Sequence, residues 1–262
     1  MKFPFKTSIS ILFSFSLAYS SLGQSDDAKP RYEAHWAGVD IGVSMLTNED
    51  MGMEFANNMY WENDIAQSFF IHFNMLEYKI PIFKQYLGLT TGLGWHMNNY
   101  GFKDDYVLSY NDSVVTANQD LNQEYDRNYL SVHYLSVPLL LDFATERLTK
   151  KSFYLCAGVV GSLRIGSRTT LRGKYENGDK FNNVRRAKFN LNPIAFDATV
   201  RMGYQSWGLF ATYSITSLYK NDKTVGVYPL RFGATLNIPS IGKDKSDEGR
   251  SFEEFEETID SL

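Results

Sequence analysis

Residues Tyr86–Met97 read YLGLTTGLGWHM. Leu87, Leu89, Thr91, Leu93, Trp95 and Met97 fall on one parity, and Gly88, Thr90, Gly92, Gly94 and His96 on the other. Side chains alternate across a strand, so these are two faces of one extended segment, one large and apolar, the other small or polar. A strand of a soluble sandwich shows water a face built of Lys, Glu or Thr. Glycine weakens a strand interior unless something needs the room. The pattern predicts that the small face looks into a crowded interior and that the large face is the outer one.

The same period of two recurs along the chain, broken by Gly, Asn, Asp and Pro, and it predicts eight strands. They span about His35–Met45, Ser68–Tyr78, Tyr86–Met97, Tyr129–Phe143, Phe153–Ile165, Asn192–Tyr204, Gly208–Leu218 and Val227–Ile238. No helix-period segment interrupts them. The connections alternate strictly. Long ones (Thr47–Gln67, Lys103–Asn128, Gly166–Leu191) and a moderate Tyr219–Gly226 are interleaved with the short Lys79–Gln85, Thr145–Ser152 and Gln205–Trp207. Short turns at one end and long loops at the other describe an antiparallel up-and-down barrel crossing an outer membrane. Eight strands give an interior that side chains fill, so an open pore is not expected.

Charge placement points the same way. Between residues 31 and 240 every Lys is predicted to lie in a connection or at a strand end. Charges inside strands sit on the small, polar parity: Asp40, Arg164, Asp197, Arg201 and Arg231. Aromatics near predicted strand ends, among them Trp36, Tyr60, Trp61, Tyr100, Tyr129, Tyr154, Tyr204, Trp207 and Tyr228, are candidates for interfacial belts.

The ends of the chain differ from its middle. Residues 1–23 have the form of an export signal: Lys2 and Lys6, an apolar Ile9–Tyr19, then Ser21-Leu22-Gly23 as a small-residue cleavage site. That apolar run is too short for a membrane-spanning helix. The barrel is expected over 31–240 and an acidic tail over 241–262. From Lys243 to Leu262 eight acidic residues face three basic ones, and the formal net charge of the whole chain is -4. The acidity thus belongs to the tail, and neither part suggests a nucleic-acid partner. Phe252, Phe255, Ile259 and Leu262 recur there at helical spacing, a pattern that would dock on a periplasmic partner if ordered. Cys156 is the single cysteine, which excludes an internal disulfide framework.

At YLSVPLLLDF (Tyr134–Phe143) the sequence resembles the PorT-like outer-membrane β-barrel family. GLFATYSITSLY (Gly208–Tyr219) and Pro229-Leu230-Arg231-Phe232-Gly233 are similar to that family's last hairpin. The resemblance implies an eight-stranded barrel over about residues 35–240, inserted by the barrel assembly machinery, with some relatives tied to type IX protein secretion. Such barrels commonly finish on an aromatic of the last strand, whereas here an acidic tail follows Ile238.

The residues that could carry chemistry are those expected in the lumen. His72 and His96 fall on lumen parity in neighbouring strands, His96 one or two rungs above His72. Two imidazoles could bind a metal or supply a base, but catalysis needs nucleophile, base and orienter in mutual reach. The default is packing: Asp40, His72, His96, Arg164, Asp197, Arg201 and Arg231 as a paired polar network, because a buried charge is costly alone. His133, on the apolar parity, and His35, before the first strand, are expected at the interface. No catalytic, metal or cofactor site is assigned. The expected protein is a non-enzymatic scaffold, surface-interaction module or secretion component of the cell outer membrane. Its partners would be membrane lipid and a secretion-system or periplasmic protein. An even strand count puts both termini in the periplasm. The alternatives are a barrel enzyme or narrow channel using the lumen His and charged residues, and a soluble exported lipocalin-like binder.

Overall fold

The computed structural model describes residues 34–55, 61–83, 86–103, 106–110, 115–119, 123–145, 152–175, 178–221 and 223–238. The expected signal peptide, the acidic tail and Tyr60 lie outside the described residues. Eight strands carry the fold: β1 Gly38–Thr47, β2 Phe69–Phe83, β3 Leu87–Phe102, β4 Gln123–Ala144, β5 Phe153–Tyr175, β6 Ile194–Tyr204, β7 Trp207–Ser214 and β8 Tyr228–Asn237. Each pairs antiparallel with its neighbour in sequence. The ring closes where β1 pairs with β8, from Gly38↔Asn237 to Thr47↔Tyr228. The up-and-down eight-stranded barrel read from the sequence is the observed fold.

The two faces separate as the period of two requires. Ile41, Leu139, Leu141, Leu163 and Leu209 point outward, each more than half exposed. Asp40, Ser44, Thr90, Ser136, Asp142 and Arg201 point inward and are buried. The inner wall of a narrow ring is convergent, so large residues fit there only where a facing position is small. Gly88 and Gly92 of the opening stretch supply that space. A Cβ at Gly88 would lie 2.7 Å from Lys79 Cε, and one at Gly92 would lie 2.1 Å from the Leu76 carbonyl oxygen and 2.9 Å from Trp36 Cδ1.

Three departures from simple alternation matter. In β2 the pairing with β3 slips between Asn74 and Leu76, a bulge that leaves one extra residue on β2. Before it His72 and Asn74 face inward, whereas beyond it Lys79 is buried and Tyr78 and Ile80 are exposed. The expectation that every Lys lies in a connection or at a strand end therefore fails at Lys79, which lies inside β2 and which the slip carries into the lumen. Second, β4 begins at Gln123 and β5 runs on to Tyr175, where the chain turns back as Lys180–Arg186 along β5. Much of the expected long loops is thus wall rather than loop. Tyr106–Tyr110 and Val115–Gln119 form a further hairpin. Third, residues 35–37 turn into the barrel at its short-turn end, so Trp36 is 1% exposed.

Substitution on the outer face tests this assignment. Leu139→Arg is expected to cost about 2–4 kcal/mol in folding from urea into lipid vesicles, the penalty for a cation on a lipid-facing strand near mid-depth. An unchanged folding free energy would remove Leu139 from the lipid-facing surface.

Candidate functional site: the filled polar lumen

The centre of the lumen is an ion pair. Arg201 of β6 donates from Nη1 to Asp40 Oδ2 at 2.9 Å and from Nη2 to Asp40 Oδ1 at 2.8 Å, and Nη2 also reaches Thr235 Oγ1 at 2.8 Å. Two parallel N–H···O bonds fix the guanidinium in plane as well as in position. Asn74 Nδ2 donates to Asp40 Oδ2 at 2.9 Å, and His72 Nδ1 lies 3.9 Å from the same oxygen.

From Asn74 a chain of hydrogen bonds crosses to the opposite wall. Asn74 Oδ1 is 3.1 Å from His96 Nε2, Ser136 Oγ is 3.0 Å from His96 Nδ1, and Ser162 Oγ is 2.8 Å from Ser136 Oγ. Since Asn74 gives its amide N–H to Asp40, its oxygen accepts, which makes His96 Nε2 the donor and Nδ1 the acceptor of the Ser136 hydroxyl. His72 Nε2 pairs with Asn98 Oδ1 at 2.9 Å. The two imidazoles stand directly opposite in register, His72↔His96, and stack with ring centroids 3.8 Å apart. They share a rung, so the expected offset of one or two rungs is corrected. The opposing ring nitrogens are already engaged by Asn74, Asn98 and Ser136, which describes packing rather than a pair of open ligands.

Aromatic rings complete the stack. Phe70 lies 4.6 Å from the His72 ring and 5.7 Å from Phe210. Trp36 lies 5.8 Å from His96. The Arg201 guanidinium sits between Trp36 at 5.1 Å and Phe210 at 5.0 Å, a cation held over two ring faces. Toward the long connections, Arg231 Nη2 pairs with Asp197 Oδ1 at 2.7 Å, and Ser214 bridges the two. Of the seven polar residues singled out from sequence, six meet in this block. Arg164 does not; it lies at the mouth, donating to the carbonyl oxygens of Leu191 and Asn192 and to Ser167 Oγ.

A second cluster at the short-turn end was not anticipated. Asp142 Oδ1 accepts from Lys79 Nζ at 3.0 Å and lies 3.0 Å from His35 Nδ1, while Oδ2 accepts from Thr90 Oγ1 at 3.0 Å and from the His35 backbone N–H at 3.1 Å. His35 stacks on Tyr154 at 4.2 Å. Glu77 Oε2 accepts the backbone N–H groups of Trp36 and Ala37 at 3.0 and 2.7 Å. His35 and Trp36 are therefore lumen residues, as are Tyr100 and Tyr154, and not members of an interfacial belt. Tyr204 and Trp207, 54% and 66% exposed beside the β6–β7 turn, do occupy such a position. His133 stays on the outer face, stacked on Trp95 at 5.6 Å. His35, Asp142 and Cys156 bring three possible ligand atoms within 4.8 Å. However, both Asp142 oxygens are filled by Lys, Thr and His donors, which leaves the carboxylate no role as a metal ligand.

The other mouth is closed by apolar side chains. Leu46, Phe55, Trp61, Tyr100, Phe102, Leu130, Val132, Phe189, Leu191, Leu218, Tyr219 and Val227 form one buried cluster. Trp61 packs on Tyr219 at 4.6 Å and donates Nε1–H to Thr224 Oγ1 at 3.0 Å. One cavity under this cap, reaching Arg231, and a second between the two ion pairs, reaching Trp36, measure about 10 Å³ each, room for roughly one water molecule.

A closed antiparallel ring with an apolar exterior and a salt-bridged interior is the architecture of a membrane-spanning β-barrel. The chain belongs to the outer membrane protein beta-barrel domain family, whose model matches residues 24–222. Among solved structures it is similar to Ail, the attachment invasion locus protein of Yersinia pestis, at 11% identity and a TM-score of 0.29, covering 76% of this chain and 98% of that one. A second Ail structure, in complex with the heparin analogue sucrose octasulfate, matches at 14% identity and a TM-score of 0.28, covering 76% and 94%. No curated protein matches the chain.

The ion pair sets a measurable stability. Asp40→Ala is expected to destabilise the barrel by about 3–5 kcal/mol, because it strands a buried guanidinium. Asp40→Ala with Arg201→Met is expected to recover most of that loss in the same urea titration. A double variant no better than the single one would show that Asp40 stabilises through Asn74 and His72 instead.

Proposed function

We propose that this protein is a non-enzymatic outer-membrane scaffold that acts through the surface of its long-connection end. The observation that carries this reading is the closure of the lumen at both ends: the His35–Trp36 segment with Asp142 below, the Trp61–Tyr219 cap above. A solute path would need an unfilled bore, and a barrel enzyme would need an accessible constellation with free valences. The charged side chains at the lumen's centre are instead paired with one another, and its imidazoles are bonded to Asn and Ser side chains. The walls, by contrast, rise past the apolar surface as paired strands, a rigid base from which connections can engage a partner. In this reading the short turns and both termini face the periplasm and the long connections face outward.

Two measurements test it. In planar bilayers the reconstituted protein is expected to give no conductance steps above the bare membrane; steady ion-selective steps would establish a channel and overturn the closed-scaffold reading. Cys156 is 1% exposed, so Asp50→Cys, in the exposed connection after β1, introduces a single accessible thiol. A membrane-impermeant maleimide applied to intact cells is expected to label it, and labelling only after envelope disruption would reverse the orientation.

The association with type IX secretion stands as a narrower reading, supported by the PorT-like residues Tyr134–Phe143. Deleting the gene and quantifying secreted and surface-anchored proteins decides it. Broad loss of cargo with an intact envelope would support a secretion role, and an unchanged secretome would leave an autonomous surface barrel.

A further inference from the structure

The outer face of the barrel changes character at one level. Along β5 the outward residues Phe153, Leu155, Val159, Leu163 and Ile165 are all exposed and apolar. The pairing of β4 with β5 slips between His133 and Tyr134, and past it the outward parity carries Gly166, Arg168, Thr170, Arg172 and Lys174. Two observations fix the direction. Gly166 lies opposite His133, whose ring stacks on the outward Trp95. The alternate residue Ser167 turns inward and donates its hydroxyl to the Ala187 carbonyl oxygen.

The neighbouring strands add to the same face, because residues directly opposite in a ladder share a side of the sheet. Arg168 is opposite Arg186, Arg172 is opposite Arg127 on one side and Asn182 on the other, and Lys174 is opposite Lys180 on one side and Glu124 on the other. Arg172 Nε donates to Asn182 Oδ1 at 3.0 Å, confirming the shared side. Six cations thus cover one face of three strands. Arg127, Arg172, Lys174, Lys180 and Arg186 are exposed and Arg168 is half-buried. Among the described residues no carboxylate forms a salt bridge with any of the six; the ion pairs involve other side chains. The opposite side of the same sheet is aromatic instead, with Phe181 packed against Tyr125 and Tyr175 at 5.6 and 4.9 Å.

Like charges placed directly opposite destabilise a ladder, and here they meet three times within one small sheet. An anion held between them would remove that repulsion. The position of the face says which anion. Its centre, Arg168, Arg172 and Arg186, is neither a loop tip nor part of the lumen mouth, but the upward continuation of the lipid-facing surface, starting three residues after Ile165. From Arg168 to Lys174 the strand rises roughly 20 Å, through the depth at which membrane headgroups lie. We propose that this face binds the phosphate groups of a phosphorylated glycolipid of the outer leaflet, of the lipid A type, with Arg168, Arg172 and Arg186 as the central phosphate ligands. Arginine suits that role through its paired N–H donors.

This inference rests on the orientation proposed above, in which the long connections lie at the outer leaflet, but its test does not depend on that orientation. The full chain, folded in detergent micelles, is mixed with bis-phosphorylated lipid A or with its dephosphorylated form, and bound lipid is measured by native mass spectrometry. Bis-phosphorylated lipid A is expected to be retained at least tenfold more than the dephosphorylated form. R168Q/R172Q/R186Q is expected to abolish that preference while the heat-shifted gel mobility of the folded barrel is kept. R185Q/K188Q/K220Q removes equal charge away from this face and is expected to keep the preference. Equal retention of the two lipids, or equal loss in both triple variants, overturns the proposal. So does displacement of the lipid by millimolar inorganic phosphate, which would define a free-phosphate site, or tighter binding of a soluble sulfated oligosaccharide, which would assign the face to a polysaccharide. If the lipid preference holds while the maleimide experiment reverses the orientation, the phosphate site stands and the outer-leaflet assignment falls.

Discussion

Hydrocarbon offers a backbone amide no partner, so every strand that faces it must be bonded on both edges. The pairing of β1 with β8 meets that requirement. Once the ring is closed at eight strands its interior is only as wide as the side chains that fill it. What goes inside must then be small, or polar and mutually satisfied, and what goes outside must be apolar. The glycines facing Lys79 and Trp36, the carboxylate between Arg201 and Asn74, and the bare leucines outside all answer to that one closure.

The polar filling is not simply a set of pairs. Asp40 and Arg201 hold each other, yet Asp40 also orients Asn74, which sets the His96 hydrogen-bond pattern and through it the Ser136 and Ser162 hydroxyls. The block therefore couples β1, β2, β3, β4, β5 and β6 by side chains as well as by the ladder. Breaking one member leaves several groups unpaired in a region without room for more than isolated water, which is why a single deletion at its centre costs more than an exposed ion pair could.

Much of this was legible in the chain. Strict alternation from Val39 to Met45 and from Leu135 to Leu141 gave the strands and their outer face, and alternating connection lengths gave the topology. The lumen residues Asp40, Asp197, Arg201 and Arg231 followed from parity alone. Parity also explains the failures. The bulge at Asn74/Leu76 reverses it, so Lys79 falls in the expected turn and Glu77 on the apolar parity, although they bind Asp142 and the Trp36 backbone. Beyond the acyl chains the ladder continues but the hydrocarbon does not, so the apolar signal stops near Ile165 while β5 runs to Tyr175. His35 and Trp36 open the expected first strand but precede its clear alternation, and the observed β1 begins only at Gly38. Their burial depends on a fold-back of the chain that no local pattern records, and the Gly92 opposite Trp36 was the one sign that something large had to fit there.

The segment that fills the short-turn end is also the segment that leads into the seam. Trp36 enters the lumen two residues before Gly38, and Gly38 pairs with Asn237 at the end of the last strand. Of all the strand pairings this one joins residues most distant in sequence, so closing it carries the largest loop-closure entropy. An open sheet of β2 to β8 would expose its polar inner wall until β1 arrived. The strand that zips the ring shut brings the stopper with it, so sealing the wall and plugging the bore become a single event, and no water-filled ring need exist at any stage of assembly.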